Sequence, residues 1–358
     1  MNSRSVHFAR KLGLFFVAVA LAALLGLALR TVRAAAPPAG PSGYHLVKTI
    51  KVGGDGFWDY LSFDSPTRRL FISRGTKVMV LDVDSEKIAG EIPDTPGVHG
   101  IALAPDRGNG FTSNGQAGTI SIFDLKSLQV IGHAQAEMNP DCIIYDPATK
   151  RVFAMNGRSG TATVVDAVSA IVIGTIQIGG KLEFAAADGA GHVYVNIENK
   201  NEEVEIDAKS LTVMAHWPLD PCQGPSGLAI DVAHRRLFVG CGNKVMAVVD
   251  ADSGKVITTL PIAAGVDADG FDPGTGFAFA SCGSGTLSIV HEDSPDKFSS
   301  VEDVPTQQGA RTMAVDPKTH EVYLVTGQFG PRPAPTPENP RPFPTLVPDS
   351  FVVLVFAR

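Results

Sequence analysis

His99 lies in GVHGIALAPD (97–106), directly ahead of a short apolar run. Comparable junctions recur in NPDCIIYDP (139–147), GPSGLAIDV (224–232) and GARTMAVDP (309–317). Aligned on such junctions, Asp59, His99, Asp141, Glu183, Ser226, Asp267 and Arg311 share one register position, and all seven are polar or charged. Four carboxylates and one guanidinium leave the set net negative when the histidine is neutral. Carboxylates crowded together repel, which raises some of their pKa values or recruits a cation. Asp59, His99, Asp141 and Glu183 are the expected ligands of such an ion, and oxygen-rich donors favour Ca²⁺, Mg²⁺ or Mn²⁺. Arg311 reads either as an internal counter-ion or as a holder for the anionic group of a ligand. Trp58, beside Asp59 in DGFWDYLSFD, offers either a stacking surface or core filling, with core filling favoured. Asp269, two residues past Asp267, is expected to extend the same lining.

Residues scattered over this much chain meet only if a repeat brings them together. One pattern recurs: an apolar strand, Asp-Pro or a relative, a turn, then an aromatic-centred strand, as in FDSPTRRLFISRG, YDPATKRVFAMNG, IDVAHRRLFVGCG and VDPKTHEVYLVTG. A third strand follows and ends in Asp (VMVLD, TISIFD, TATVVD), and then a fourth (KIAGEIP, IVIGTIQIG). The second-strand aromatics Phe71, Phe111, Phe153, Tyr194, Phe238, Phe279 and Tyr323 are spaced by 40 to 44 residues. Seven four-stranded units at this period predict a seven-bladed, all-β propeller, whose twisted sheets stack radially because none can cover its own two apolar faces. The last unit lacks a fourth strand, and YHLVKTIKVGG (44–54) has the fourth-strand pattern. That segment is expected to close the last blade and remove an open edge.

In this architecture the register position becomes one ring at one mouth of the central channel. A wet polar lining, or contacts that align neighbouring blades, would use the same residue types without any ligand. Asp82, Asp124, Asp166, Asp207 and Asp250 recur too regularly for catalysis and are expected to cap turns; His291 replaces them in the sixth unit and reads as a surface variant. The Pro-rich stretch 331–348 falls between the second and third strands of the last blade. It is expected to be a stiff surface loop, or else a flap over one end or a docking surface.

The N-terminus carries Arg4, Arg10 and Lys11, then an apolar run from Leu12 to Leu29, then small residues at Ala34–Ala36. This is the pattern of a signal peptide over 1–36, or of an uncleaved anchor, followed by a linker over 37–43 and the propeller over 44–358. The globular part is therefore expected to be periplasmic or secreted, touching a membrane only if the leader stays attached. Export permits disulfides. Cys222 and Cys241 fall at the same end of blade 5 and are expected to pair, with Cys282 as the competing partner and Cys142 a buried free thiol. Trp217 reads as packing. A net charge of −7 and a pI near 5.7 argue against nucleic acid as the main partner.

RRLFIS, RRLFVG and SGKVI, at a period just over 40, resemble the YVTN-type repeats of the YncE-like β-propeller family over residues 44–358. The resemblance implies the fold and export. Some relatives are linked to DNA binding, and similar propellers serve as lactonases or as electron-transfer subunits beside haem or quinone. The sequence has no C-x-x-C-H, G-x-S-x-G or H-E-x-x-H motif. The leading expectation is a monomeric, non-catalytic binding or scaffold protein of the cell envelope that takes a small ligand or a protein partner at the channel mouth. The alternatives are a metal-assisted hydrolase or lactonase at the same ring, and a nucleic-acid binder.

Overall fold

A computed structural model describes residues 41–54, 56–336, 340, 342 and 344–358. The expected leader lies outside these residues, as does most of the expected linker. Among the described residues no helix is long and apolar enough to cross a membrane, and the one helical segment is a 3-10 turn at Glu198–Lys200. Everything else regular is strand, in seven sheets of four antiparallel strands. Blades 1 to 6 cover residues 61–92, 98–135, 140–177, 182–218, 225–261 and 266–305, and each runs in sequence order from inner to outer strand.

Blade 7 is composite. Met313–Asp316, Glu321–Thr326 and Val352–Ala357 form its first three strands, and His45–Lys51 pairs antiparallel with the third, from His45 opposite Ala357 to Lys51 opposite Val352. The closing strand is pinned from the residues before it. Ser42 is buried and donates its backbone N–H to Glu302 Oε1, so this part of the expected linker is docked. Tyr44 packs edge-on against Phe279 and donates its hydroxyl to the His320 carbonyl.

All seven ruler aromatics are buried to 1 % exposure or less, which explains their period: each fills the centre of a blade against its neighbour. Phe238 of blade 5, for example, stacks on Phe271 of blade 6 at 5.1 Å. Burying each such ring contributes about 2–3 kcal/mol. In blades 1 to 6 a β-bulge interrupts the pairing of third and fourth strands at the same place, between Val80 and Leu81 in blade 1 and between Val248 and Val249 in blade 5. Bulges increase local twist.

Charged latches join some blades at one end. An Asp at the end of a first strand meets a basic side chain from the turn of the next blade: Asp188 with Arg235 at 2.6 Å, Asp272 with His320 at 2.8 Å, and Asp316 of blade 7 with Arg68 of blade 1. At that same end Asp82, Asp124, Asp166, Asp207 and Asp250 cap their turns as expected. Each accepts both the backbone N–H and the hydroxyl of the serine three residues on, at 2.6–2.9 Å. His291 bonds Asp293 at 2.7 Å on the surface.

Candidate functional site

The ring forms at the opposite end, and bulges aim it. In the inner strands of blades 2 to 6 the ladder breaks at the register position, leaving His99, Asp141, Glu183, Ser226 and Asp267 inside the break. A bulge leaves residues without a ladder partner and turns their side chains, here toward the channel axis. Asp59 and Arg311 sit in the segments leading into the first strands of blades 1 and 7.

Five consecutive blades contribute a chain of alternating charge. Arg311 of blade 7 reaches Asp267 of blade 6 at 2.8 Å and Asp59 of blade 1 at 3.3 Å. Asp59 also contacts His99 Nδ1 of blade 2 at 2.5 Å, and Asp141 of blade 3 lies 3.8 Å from the same nitrogen. Glu183 of blade 4 turns to Lys181 at 2.6 Å. Ser226 is not part of this charge chain; its hydroxyl donates to the Asp267 carbonyl at 3.2 Å and aligns blades 5 and 6.

Below the ring, Tyr60 of blade 1 and Phe184 of blade 4 stack across the channel with centroids 4.5 Å apart. Phe184 packs against the apolar clusters of three blade contacts, so the two rings plug the axis. The result is a cup of about 350 Å³ with charged walls and an aromatic floor. Arg311 links it to a second cleft of about 440 Å³, lined by Phe57, Trp58, Phe329, Arg332 and Pro344. The described parts of the Pro-rich loop thus form a wall beside the mouth, tied down by a bridge between Phe329 and Leu346.

Electrostatics follow from this crowding. Burial, together with the neighbouring carboxylates, pushes Asp141 up to about 7 against the opposing pull of His99. Asp267 is also pushed up to about 7, by burial and by Asp59 and Asp141, which outweigh Arg311. Burial raises Glu183 in spite of Lys181. For His99 burial acts in the other direction, but the bond to Asp59 and the charge of Asp141 outweigh it and favour the imidazolium.

Asp59, His99 and Asp141 present donor atoms within 4.8 Å of one another, close enough to hold an ion. Glu183 is drawn off by Lys181 and stands outside that trio. Trp58 is a packing residue that also faces the cleft: it is 6 % exposed and lies against Phe351 and Phe329. Asp269 corrects the expectation for it. It is buried against Gly240 of blade 5, where an added Cβ would come within 2.7 Å of its carboxylate, and it does not line the cup.

Cys222 and Cys241 are bonded, with Cα atoms 5.5 Å apart, whereas Cys142 and Cys282 are buried free thiols. A disulfide points to a compartment outside the reducing cytoplasm. Trp217 stacks on Tyr194, as packing requires.

Several site residues carried no repeat signal: Lys181, Phe184, Phe329 and Arg332. The serines and asparagine two residues past the ruler aromatics did carry one. Ser113 donates to the Asp141 carbonyl, Ser281 to the Arg311 carbonyl at 2.6 Å and Asn196 to the Ser226 carbonyl at 2.9 Å, so they fix the backbone from which the ring projects.

No family model and no curated protein matches the chain. Solved structures do. Hydrazine synthase of Kuenenia stuttgartiensis aligns over 76 % of this chain and 94 % of its own, with 16 % identity and a TM-score of 0.66. A chain of the mitotic checkpoint complex aligns over 89 % and 94 %, at 14 % identity and 0.69. U3-55K aligns over 87 % and 98 %, at 9 % identity and 0.73. At these identities the likeness concerns the fold alone, and by fold the chain is a seven-bladed β-propeller.

Proposed function

We propose that the protein is an exported, monomeric propeller of the cell envelope, related to the YVTN-repeat propellers, that binds a small ligand at the cup without chemical turnover. The supporting observation is the alternating chain from Asp267 through Arg311, Asp59 and His99 to Asp141. Its charged groups are held by each other, which suits a preorganised receptor. The cup is acidic on balance and opens onto the aromatic cleft of Phe57, Trp58 and Phe329. A ligand with a cationic head and an apolar body fits both halves.

Phenethylamine and benzoate are the matched probes, followed by tryptophan fluorescence. Saturable quenching by the amine, lost in Asp267→Asn and absent with benzoate, is the expected result. Equal or absent responses to both probes would overturn the reading.

The trio Asp59, His99 and Asp141 supports a second reading, a metal-assisted lactonase. It requires a neutral imidazole as ligand, whereas the ring favours the charged form. Turnover of γ-butyrolactone that depends on Mn²⁺ or Ca²⁺ and disappears in His99→Ala would establish it over simple binding.

A further inference from the structure

The end opposite the cup holds a second group of metal-ligating side chains, at the contact of blades 5 and 6. Asp231 ends the first strand of blade 5, His234 lies in the turn that follows, and Glu292 lies near the end of the third strand of blade 6. His234 Nδ1 is 2.7 Å from Asp231 Oδ2 and 2.8 Å from Glu292 Oε1. One ring nitrogen carries at most one proton, in the ring plane, so it cannot donate well along both lines. The Glu292 side chain is 2 % exposed, and neither of its oxygens accepts a hydrogen bond among the described residues.

Register shows how unusual this is. In blades 1 to 6 one residue past the third-strand turn position donates its N–H to the carbonyl preceding the second strand. The pairs are Val83 to Arg68, Leu125 to Gly108, Ala167 to Lys150, Ala208 to Gly191, Ala251 to Arg235 and Glu292 to Gly276. Five donors are apolar and the sixth is a carboxylate. The acceptor column is also the source of the latching basic side chains: Arg68, Arg235 and, in blade 7, His320 reach the Asp of the preceding blade.

At the contact of blades 5 and 6 that place is Gly276, which has no side chain to offer, while blade 6 adds a second carboxylate. Gly108 and Gly191 stand in the same column, but there Asp64 and Asp146 are met by the hydroxyls of Thr67 and Thr149. Two buried carboxylates therefore converge where three other contacts seat a basic side chain, and among the described residues the basic side chain that meets both is His234.

We propose that Asp231, His234 and Glu292 bind a divalent transition-metal ion, Zn²⁺ or Mn²⁺, that cross-links blades 5 and 6. Ligand atoms around an ion with bonds of about 2.1 Å lie about 3.0 Å apart in an octahedron and about 3.4 Å apart in a tetrahedron, so the 2.7 and 2.8 Å separations open by a few tenths of an ångström to take the ion. Imidazole selects for transition metals over Ca²⁺ and Mg²⁺. Asp231 Oδ1 already accepts the Ala233 N–H at 2.9 Å, which orients the carboxylate and leaves Oδ2 for the ion. His234 is half exposed, giving a path in and room for water ligands.

The test uses the purified full chain, stripped with chelator and then titrated with ZnCl₂ or MnCl₂ by calorimetry and thermal denaturation. One equivalent of one of these ions should bind and raise Tm. Glu292→Ala installs the alanine that blades 3 to 5 carry at this position, so the variant is expected to fold. It should weaken binding at least about tenfold and abolish the rise in Tm, and His234→Ala should do the same. His216→Ala, on the outer strand of blade 4 and outside both groups, should leave both unchanged, and His99→Ala tests the cup. Binding that survives Glu292→Ala, binding lost in His99→Ala instead, or no one-to-one binding of either ion overturns the proposal.

Discussion

The two ends of this propeller use aspartate in opposite ways. Away from the cup, Asp82, Asp124, Asp166 and Asp207 are held below the ordinary carboxylate range, chiefly by the N–H and hydroxyl of the serine three residues on. At the cup, Asp141 and Asp267 are pushed up to about 7 by burial and mutual repulsion. The first group is satisfied one turn at a time and supports the fold. The second is assembled across blades and left energetically costly, as expected where charge is kept available for a ligand. Chemical type alone therefore does not separate the two groups, and neither does partnership across blades, since Asp188 and Asp316 also bond to the next blade and are lowered; the direction of the shift does.

The strongest way to break this comparison uses its two bridging arginines. Arg68 holds the fully buried Asp316 and closes blade 7 onto blade 1, whereas Arg311 is 42 % exposed between half-buried partners. Removing the partner of a buried charge costs about 3 kcal/mol or more, whereas the loss of Arg311 costs less because the guanidinium is open to water and Asp267 is already pushed toward its neutral form. Urea unfolding should therefore show Arg68→Ala strongly destabilised and Arg311→Ala nearly native. Equal losses would mean that the cup is as structural as the latches.

The next effect is a dependence on pH. A carboxylate raised in the folded state costs stability as pH climbs from its unfolded value, near 4, through about 7. Asp141→Asn should raise Tm by about 3 °C at pH 8 and by much less at pH 5. The smallest effect has the opposite sign. Asp166→Ala loses the turn bonds to Ser169 and should lower stability by under about 1 kcal/mol at pH 7. Because a lowered carboxylate stabilises only above its unfolded pKa, that loss should fade as pH falls below about 4. Thermal melts across this range check both substitutions.

What recurs in the sequence was legible; what occurs once was not. The ruler aromatics, the turn aspartates and the ring each appear in most blades, so register alone located them. Lys181 and Glu292 break their columns, and a single departure has no period to reveal it. Asp269 was misplaced for a specific reason. Residues two apart share a face of a regular strand, but the ladder shifts between Val266 and Ala268, which sends Asp267 into the channel and Asp269 into the sheet contact. The disulfide was legible because alternating strands put Cys222 and Cys241 at one end whatever the details between them.

The stacked rings of Tyr60 and Phe184 also determine how traffic at the mouth must run. With the axis stoppered, the molecule is a vessel with one opening, not a conduit. On the proposed reading, a solute that enters the cup leaves by the door it came through, so rival occupants displace one another at the rim, where Arg311 and the wall of the Pro-rich loop stand.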